Sequence, residues 1–198
     1  MYDERSAQDI KKLKASLSPL PEPEVIPSLI VISGLPGAGK SYFARRLVEK
    51  APAVIVESDA MRKALFPTSW YTPEESQRVF QATHLLIEDL LQRGISVIFD
   101  ATNLTERHRE PLYNIADRSG ARLIIVRVEA PPEVVRERLR RRAERPDAGD
   151  KSDADWQVYR KMLGDRENIR RNHFVVDTSR DITPVIEKIA REMQKGKG

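Results

Sequence analysis

Leu29-Ile30-Val31-Ile32 runs through Ser33 into Gly34-Leu35-Pro36-Gly37-Ala38-Gly39-Lys40-Ser41. No other stretch constrains the fold as strongly. The apolar run reads as a strand buried on both faces. The glycines after it allow a sharp turn into a helix carrying Phe43, Ala44, Leu47 and Val48. Every fixed position of G-x-x-x-x-G-K-[ST] is met, a pattern that chance produces in roughly one chain of this size per hundred. Backbone N–H groups converging at such a turn hold phosphate oxygens, and side chains at Gly34, Gly37 or Gly39 would obstruct their approach. The Lys40 ammonium suits the β and γ phosphates, and the Ser41 hydroxyl suits the shell of a Mg²⁺ ion.

The remaining pattern alternates short apolar blocks with helical spacing. Strands are expected at Ala53–Val56, Ile95–Phe99, Leu123–Val128 and Phe174–Val176. Helices are expected at Pro73–Gly94, Thr105–Ser119, Pro131–Arg145, Asp153–Arg171 and Thr183–Gln194. With Leu29–Ser33 this makes an α/β chain whose parallel strands are covered on both faces. Functional residues in such folds follow the strands' C-terminal ends. Residues 1–27 read as an appendage, in which Ile10, Leu13 and Leu17 share a helix face before Pro19, Pro21, Pro23 and Pro27 impose a stiff linker. Residues 28–198 are the expected catalytic domain.

Composition narrows the class. The chain has no cysteine, which excludes a disulfide scaffold, a thiolate zinc site and a cysteine nucleophile, and points to a reducing cytoplasm. No apolar run is long enough for a membrane span. The formal net charge is +4. Arg136–Arg145 holds six Arg and two Glu, and six minus two equals that whole excess, so the basicity is local and suits an anionic ligand at one place. An Asn-Lys-x-Asp guanine reader is absent from the sequence, and the chain after residue 27 is short for a large motor. A small phosphotransferase fits, needing a hydroxyl acceptor, a base and a closing lid.

Asp59, in Ser58-Asp59-Ala60-Met61-Arg62, follows the second strand and can accept the acceptor's proton or merely cap the next helix. Arg62, one turn on, suits an anionic acceptor group or the transferred phosphoryl. Asp100 ends the third strand, where a carboxylate orders Mg²⁺ or steadies Asp59 and Arg62. Thr102 and Asn103 can add neutral hydrogen bonds. The arginine-rich segment reads either as a solvated helix face or, preferred here, as a lid over about residues 136–152 that turns at Pro146–Asp150. Arg138 and Arg142, four apart, share a face. Trp70-Tyr71 can stack a base or sugar, or form a satellite core cluster. His84 reads as packing or surface, and His108 and His173 have no partner at metal-ligand spacing.

The order phosphate loop, Ser58-Asp59-x-x-Arg62, Asp100-Ala101-Thr102-Asn103, arginine-rich lid and Asp150-Lys151-Ser152-Asp153-Ala154 resembles the small P-loop kinases. That group includes the 5′-kinase domain of phage-type polynucleotide kinase, zeta-toxin-like kinases and chloramphenicol phosphotransferase. It resembles more closely the AAA-type ATP-binding branch of predicted kinases in that group, over about residues 28–192. The resemblance implies a three-layer P-loop NTPase sandwich with a five-stranded parallel sheet in the order 2-3-1-4-5. It implies ATP and Mg²⁺ as cofactors, Asp59 as general base, Lys40, Arg62, Asp100 and Arg142 as catalytic partners, and Ser41 and Asp100 at the metal. Nucleotide contacts would come from Gly34, Gly37, Ala38, Gly39, Lys40, Ser41, Tyr42, Arg138 and Thr178, with Arg138 and Thr178 near adenine. The expected reaction is transfer of the γ-phosphate to a hydroxyl, with a polynucleotide 5′-OH or nucleoside-like acceptor favoured over a sugar or antibiotic. An ATP-binding switch, or a nucleic-acid-associated ATPase without phosphotransfer, is the alternative from another class.

Overall fold

The computed structural model describes residues 4–17, 19–144 and 154–195. Five parallel strands, β1 (Ser28–Ser33), β2 (Val54–Glu57), β3 (Val97–Asp100), β4 (Arg122–Glu129) and β5 (Phe174–Asp177), form one sheet in the order β2-β3-β1-β4-β5. This is the 2-3-1-4-5 order that the resemblance implied. β1 lies at the centre, in register with β3 from Leu29↔Val97 to Ile32↔Asp100 and with β4 from Ser28↔Arg122 to Ser33↔Arg127.

The continuous apolar character of β1 follows from burial on both sides. Side chains alternate across a strand. Leu29 and Val31 therefore join one apolar core, and Ile30 and Ile32 join the other. The first core is covered by α1 (Glu4–Ala15), α3 (Ser58–Leu65), α4 (Pro73–Gln92) and α5 (Glu106–Arg118). The second is covered by α2 (Lys40–Val48) and α8 (Thr183–Gln194). α6 (Pro132–Glu144) and α7 (Trp156–Leu163) form a small third cluster, in which Val135, Leu139 and Tyr159 pack with Leu35 of the glycine-rich loop.

Several expected boundaries move for physical reasons. The third strand begins at Val97 and includes Asp100, because pairing with both β1 and β2 carries the ladder through that carboxylate. The helix expected to run to Arg171 ends at Leu163. Asp155 caps its start by accepting hydrogen bonds from the N–H groups of Gln157 and Val158, and Gly164 stands at its end. The chain beyond is claimed by other contacts: the Glu167 N–H donates to the Leu104 carbonyl, and Ile169 is buried with Tyr113 and Ile125. Before β1, residues 4–15 form a helix whose Ile10 and Leu13 belong to the same core as Leu29 and Val31. The turn expected at 146–150, and the lid from 145 to its end at 152, lie outside the described residues. Among the described residues no helix is long and apolar enough to cross a membrane.

Candidate active site

The C-terminal ends of β1, β2 and β3 open into one cavity of about 1020 Å³, large enough for a nucleotide and a second small molecule. Its floor is the loop from Gly34 to Lys40. Gly39 sits at φ 92°, where an L side chain is strained, and a Cβ there would meet the Thr178 Oγ1 at 2.8 Å. Gly34 approaches β4 so closely that its Cβ would lie 2.5 Å from the Val128 carbonyl oxygen. Gly39 precedes α2 without a side-chain cap, so the first backbone N–H groups of that helix stay available to an anion.

Lys40 Nζ donates to the Leu35 carbonyl at 3.1 Å. Burial lowers the Lys40 pKa, while the nearby Asp100 and Asp59 carboxylates oppose that shift and the Arg142 guanidinium adds to it. The Ser41 hydroxyl donates to Asp100 Oδ2 at 2.6 Å. Burial raises the Asp100 pKa, against the pull of Lys40 and of that hydrogen bond, and Glu57 and Asp59 push it further up. The Ser41 hydroxyl and the Asp100 carboxylate, already in contact, are oxygen donors of the kind Mg²⁺ takes.

Asp59 and Arg62 enter from α3. The residue at the N-cap of that helix is Glu57, which makes no side-chain cap hydrogen bond. Asp59 therefore lies within the first turn, and it lines the cavity. Arg62 Nη2 donates to Ser76 Oγ at 3.2 Å, its Nη1 lies 3.8 Å from Glu75 Oε2, and its guanidinium faces the Tyr71 ring at 4.9 Å. Glu75 folds the preceding loop by accepting from the N–H groups of Trp70 and Tyr71 and from the Ser69 hydroxyl, which fixes Tyr71 at φ 55°. Tyr71 lines the cavity. Trp70 is 78% exposed, so the satellite core cluster weighed for it does not form.

The arginine helix serves two faces. Arg140 pairs with Glu137 at 2.9 Å and with Glu144 at 2.5 Å, and Arg141 pairs with Glu137 at 2.6 Å. These bonds hold the Glu137 carboxyl well below its ordinary pKa, on an exposed surface. Arg138 and Arg142 instead line the cavity. Arg138 grips the loop after β5, donating to Thr178 Oγ1 at 2.8 Å and to the Thr178 carbonyl at 2.9 Å, and the Thr178 hydroxyl donates to the Ala38 carbonyl at 2.7 Å. Thr178 is thus buried beneath the phosphate loop, with its hydroxyl committed there. Arg142 donates to the Ala154 carbonyl. Tyr42 lines the cavity from α2 and is half exposed.

Sequence reasoning missed several lining residues. Glu57 ends β2 as Asp100 ends β3, and the same strand-end argument could have found it. Val79, Phe80 and Thr83 of α4 and His108 of α5 also line the cavity. Phe80 and His108 are stacked, with centroids 5.4 Å apart, a juxtaposition of two helices with no local signal. Burial, reinforced by Arg107 and Arg109 and opposed by Glu167, lowers the His108 pKa.

Sheet order, glycine-rich loop and cavity together define the fold of the P-loop kinases. A family model described as an AAA domain, AAA_33, matches residues 29–169, and the chain belongs to that family. An L-seryl-tRNA(Sec) kinase of Methanococcus maripaludis is 30% identical over 105 residues, covering 52% of this chain and 41% of that protein. The match thus spans less than half of that curated relative's length. Chaetomium thermophilum Kti12 in complex with ADP-AlF3 superposes with a TM-score of 0.68 at 21% identity, covering 83% of this chain and 98% of that one. Mycobacterium tuberculosis APS kinase CysC, in complex with AMPPNP and APS, gives a TM-score of 0.64 at 16% identity over 88% of this chain and all of that one (100%).

Proposed function

We propose that this chain transfers the γ-phosphoryl group of ATP to a hydroxyl of an acceptor held between α3 and α4. One observation carries the reading: Asp59 and Arg62 open onto the same cavity as Lys40, Ser41 and Asp100. The acceptor hydroxyl gives its proton to the Asp59 carboxylate as its oxygen forms a bond to the γ-phosphorus. The bond from that phosphorus to the β–γ bridging oxygen breaks, and ADP leaves. Lys40 and Arg142 offset charge on the phosphates, and Arg62 orients the acceptor or the phosphoryl in flight. Gly34, Gly37, Ala38, Gly39 and Tyr42 complete the nucleotide contacts, with Arg138 and Thr178 holding the loop. Ser41 and Asp100 would hold Mg²⁺, which when bound adds charge neutralisation at the phosphates.

For the acceptor, a nucleoside-like molecule or nucleic-acid 5′ end is supported by the ring-lined wall of Tyr71, Phe80 and His108, since aromatic faces stack bases. The relative named for a tRNA-linked serine is consistent with an acceptor joined to nucleic acid. A second reading, a free small molecule, is favoured by the pairing of Arg140 and Arg141 with glutamates, which leaves less unpaired basic surface for a polynucleotide backbone.

Labelled ATP with Mg²⁺ and a panel of 5′-hydroxyl oligonucleotides, nucleosides and sugars should label one class. Asp59→Asn should lower transfer by about 10²-fold or more, with ATP affinity little changed. The proposal fails if the wild type labels nothing, or if Asp59→Asn transfers near the wild-type rate while Lys40→Ala abolishes transfer.

A further inference from the structure

Asp9 of α1 is 3% exposed, yet it is ionically matched: Arg78 of α4 donates from Nε to Oδ2 and from Nη2 to Oδ1, both at 2.7 Å. The pair is only part-buried, since the Arg78 side chain is 27% exposed, and such a pair is a weak stabiliser, but its fork geometry fixes the register of what it joins. The same guanidinium lies over the Phe66 ring at 5.2 Å, and Phe66 is the C-cap of α3. One side chain therefore ties α1 and α4 to the end of the helix that presents Asp59. Arg78 immediately precedes Val79 and Phe80 on the cavity wall. Around it, Ile10 and Leu13 of α1 share a core with Met61 and Leu65 of α3.

Further contacts anchor the C-terminal end of α1 and the chain that follows it. Lys14 pairs with Asp89 lower on α4 at 2.7 Å. Beyond α1, the Glu24 N–H donates to the Gly94 carbonyl at 2.7 Å, and its carboxylate accepts from Ser96 Oγ at 2.9 Å. Gly94 admits that approach because a Cβ there would lie 2.6 Å from the Glu24 carbonyl oxygen.

We infer that Asp9 and Arg78 are positioning residues, through which the N-terminal helix sets the spacing between α3 and α4 and hence the placing of the acceptor hydroxyl against Asp59. The inference rests on the phosphotransfer reading above. It is tested in the full chain with the double variant Asp9→Leu/Arg78→Met, which keeps volume and apolar packing, beside Asp9→Ala. The acceptor is whichever member of the oligonucleotide, nucleoside and sugar panel the wild type labels, and AMPPNP reports nucleotide affinity. Both variants should lower kcat/KM for that acceptor by about tenfold to a hundredfold. AMPPNP affinity should stay within about twofold, because the register change is confined to the acceptor side. Amides of α3 should exchange with solvent faster, and those of α2 at the wild-type rate. Wild-type transfer by the double variant, unchanged exchange in α3, or equal losses of transfer and AMPPNP affinity would overturn the assignment. If the wild type labels no acceptor, the phosphotransfer reading itself has failed, an outcome separate from a wild type and a double variant that transfer equally well.

Discussion

Replacing Arg109 by Met tests how the cavity's rim is held. Arg109 is fully buried, at 0% exposure. It donates to the Asn103 carbonyl at 2.9 Å, to Glu106 Oε2 at 2.9 and 3.2 Å, and to the Asn168 carbonyl at 3.4 Å. Asn103 is held at φ 44°, an uncommon setting for a residue with a Cβ. Its amide donates to the Ile32 carbonyl at 2.8 Å, while the Thr102 carbonyl accepts from the Gly34 N–H at 3.0 Å. The loop after Asp100 is thus stitched to the start of the phosphate loop, with Arg109 behind it. Methionine keeps most of the stem volume and removes the fork. The Asn103 carbonyl retains Ser33 Oγ at 3.0 Å, and Glu106, being partly exposed, can turn to water. The losses are then mainly the two charge-assisted bonds to carbonyls, at about 1.5–3 kcal/mol each. The guanidinium's desolvation penalty, which falls away with it, offsets part of that. A net destabilisation of about 2–3 kcal/mol follows, equivalent to about 4–12 °C in Tm for a domain of this size. Urea unfolding and calorimetry of Arg109→Met against wild type, with nucleotide affinity measured in parallel, give the answer. A loss under about 0.5 kcal/mol, within the usual range of surface substitutions, would show that backbone contacts alone hold the loop and that the reasoning is wrong.

Two further comparisons have expected outcomes. Gly39→Ala meets both a positive φ and the Thr178 hydroxyl, whereas Gly120→Ala meets a positive φ with nothing within 4 Å. The second should destabilise by about 1–2 kcal/mol, and the first by clearly more, with loss of nucleotide binding by calorimetric titration; equal effects would remove the Thr178 contact from the account. His84 has its pKa lowered to about 4 by burial, with help from His108. A histidine depressed in the folded state leaves the unfolded chain binding more protons, so stability falls as pH drops below about 6.5 towards 4. Denaturant unfolding should show about 2 kcal/mol lost between pH 7 and 5 that His84→Leu does not lose.

The sequence revealed most where chemistry leaves little choice. Gly34, Gly37, Gly39, Lys40 and Ser41 fill every fixed position of a pattern that joins a strand to a helix, so the loop and its flanking elements could be read directly. The strand-end rule drew attention to Asp59 and Asp100 for the same reason. Glu57 ends β2 just as plainly. One face of α6 was legible too, since Arg138 and Arg142 stand four apart, whereas the pairing of Glu137 with Arg140 and Arg141 emerged only in the structure. What could not be read was set by distance along the chain. Asp9 finds Arg78 at a separation of 69 residues, and nothing local distinguishes it from any acidic residue on an amphipathic helix. The early end of α7 has the same origin, because Glu167 and Ile169 leave the helical pattern for partners on other elements.

The two apolar cores divide the labour between them. One, behind α2 and α8, backs the helix that follows the phosphate loop; the other, behind α1, α3, α4 and α5, backs the wall facing it. Side chains on one side of the central strand can thus drift without disturbing those on the other. On the proposed reading, a scaffold partitioned in this way can acquire new recipients by repacking a single layer, while its hold on the donor is inherited unchanged.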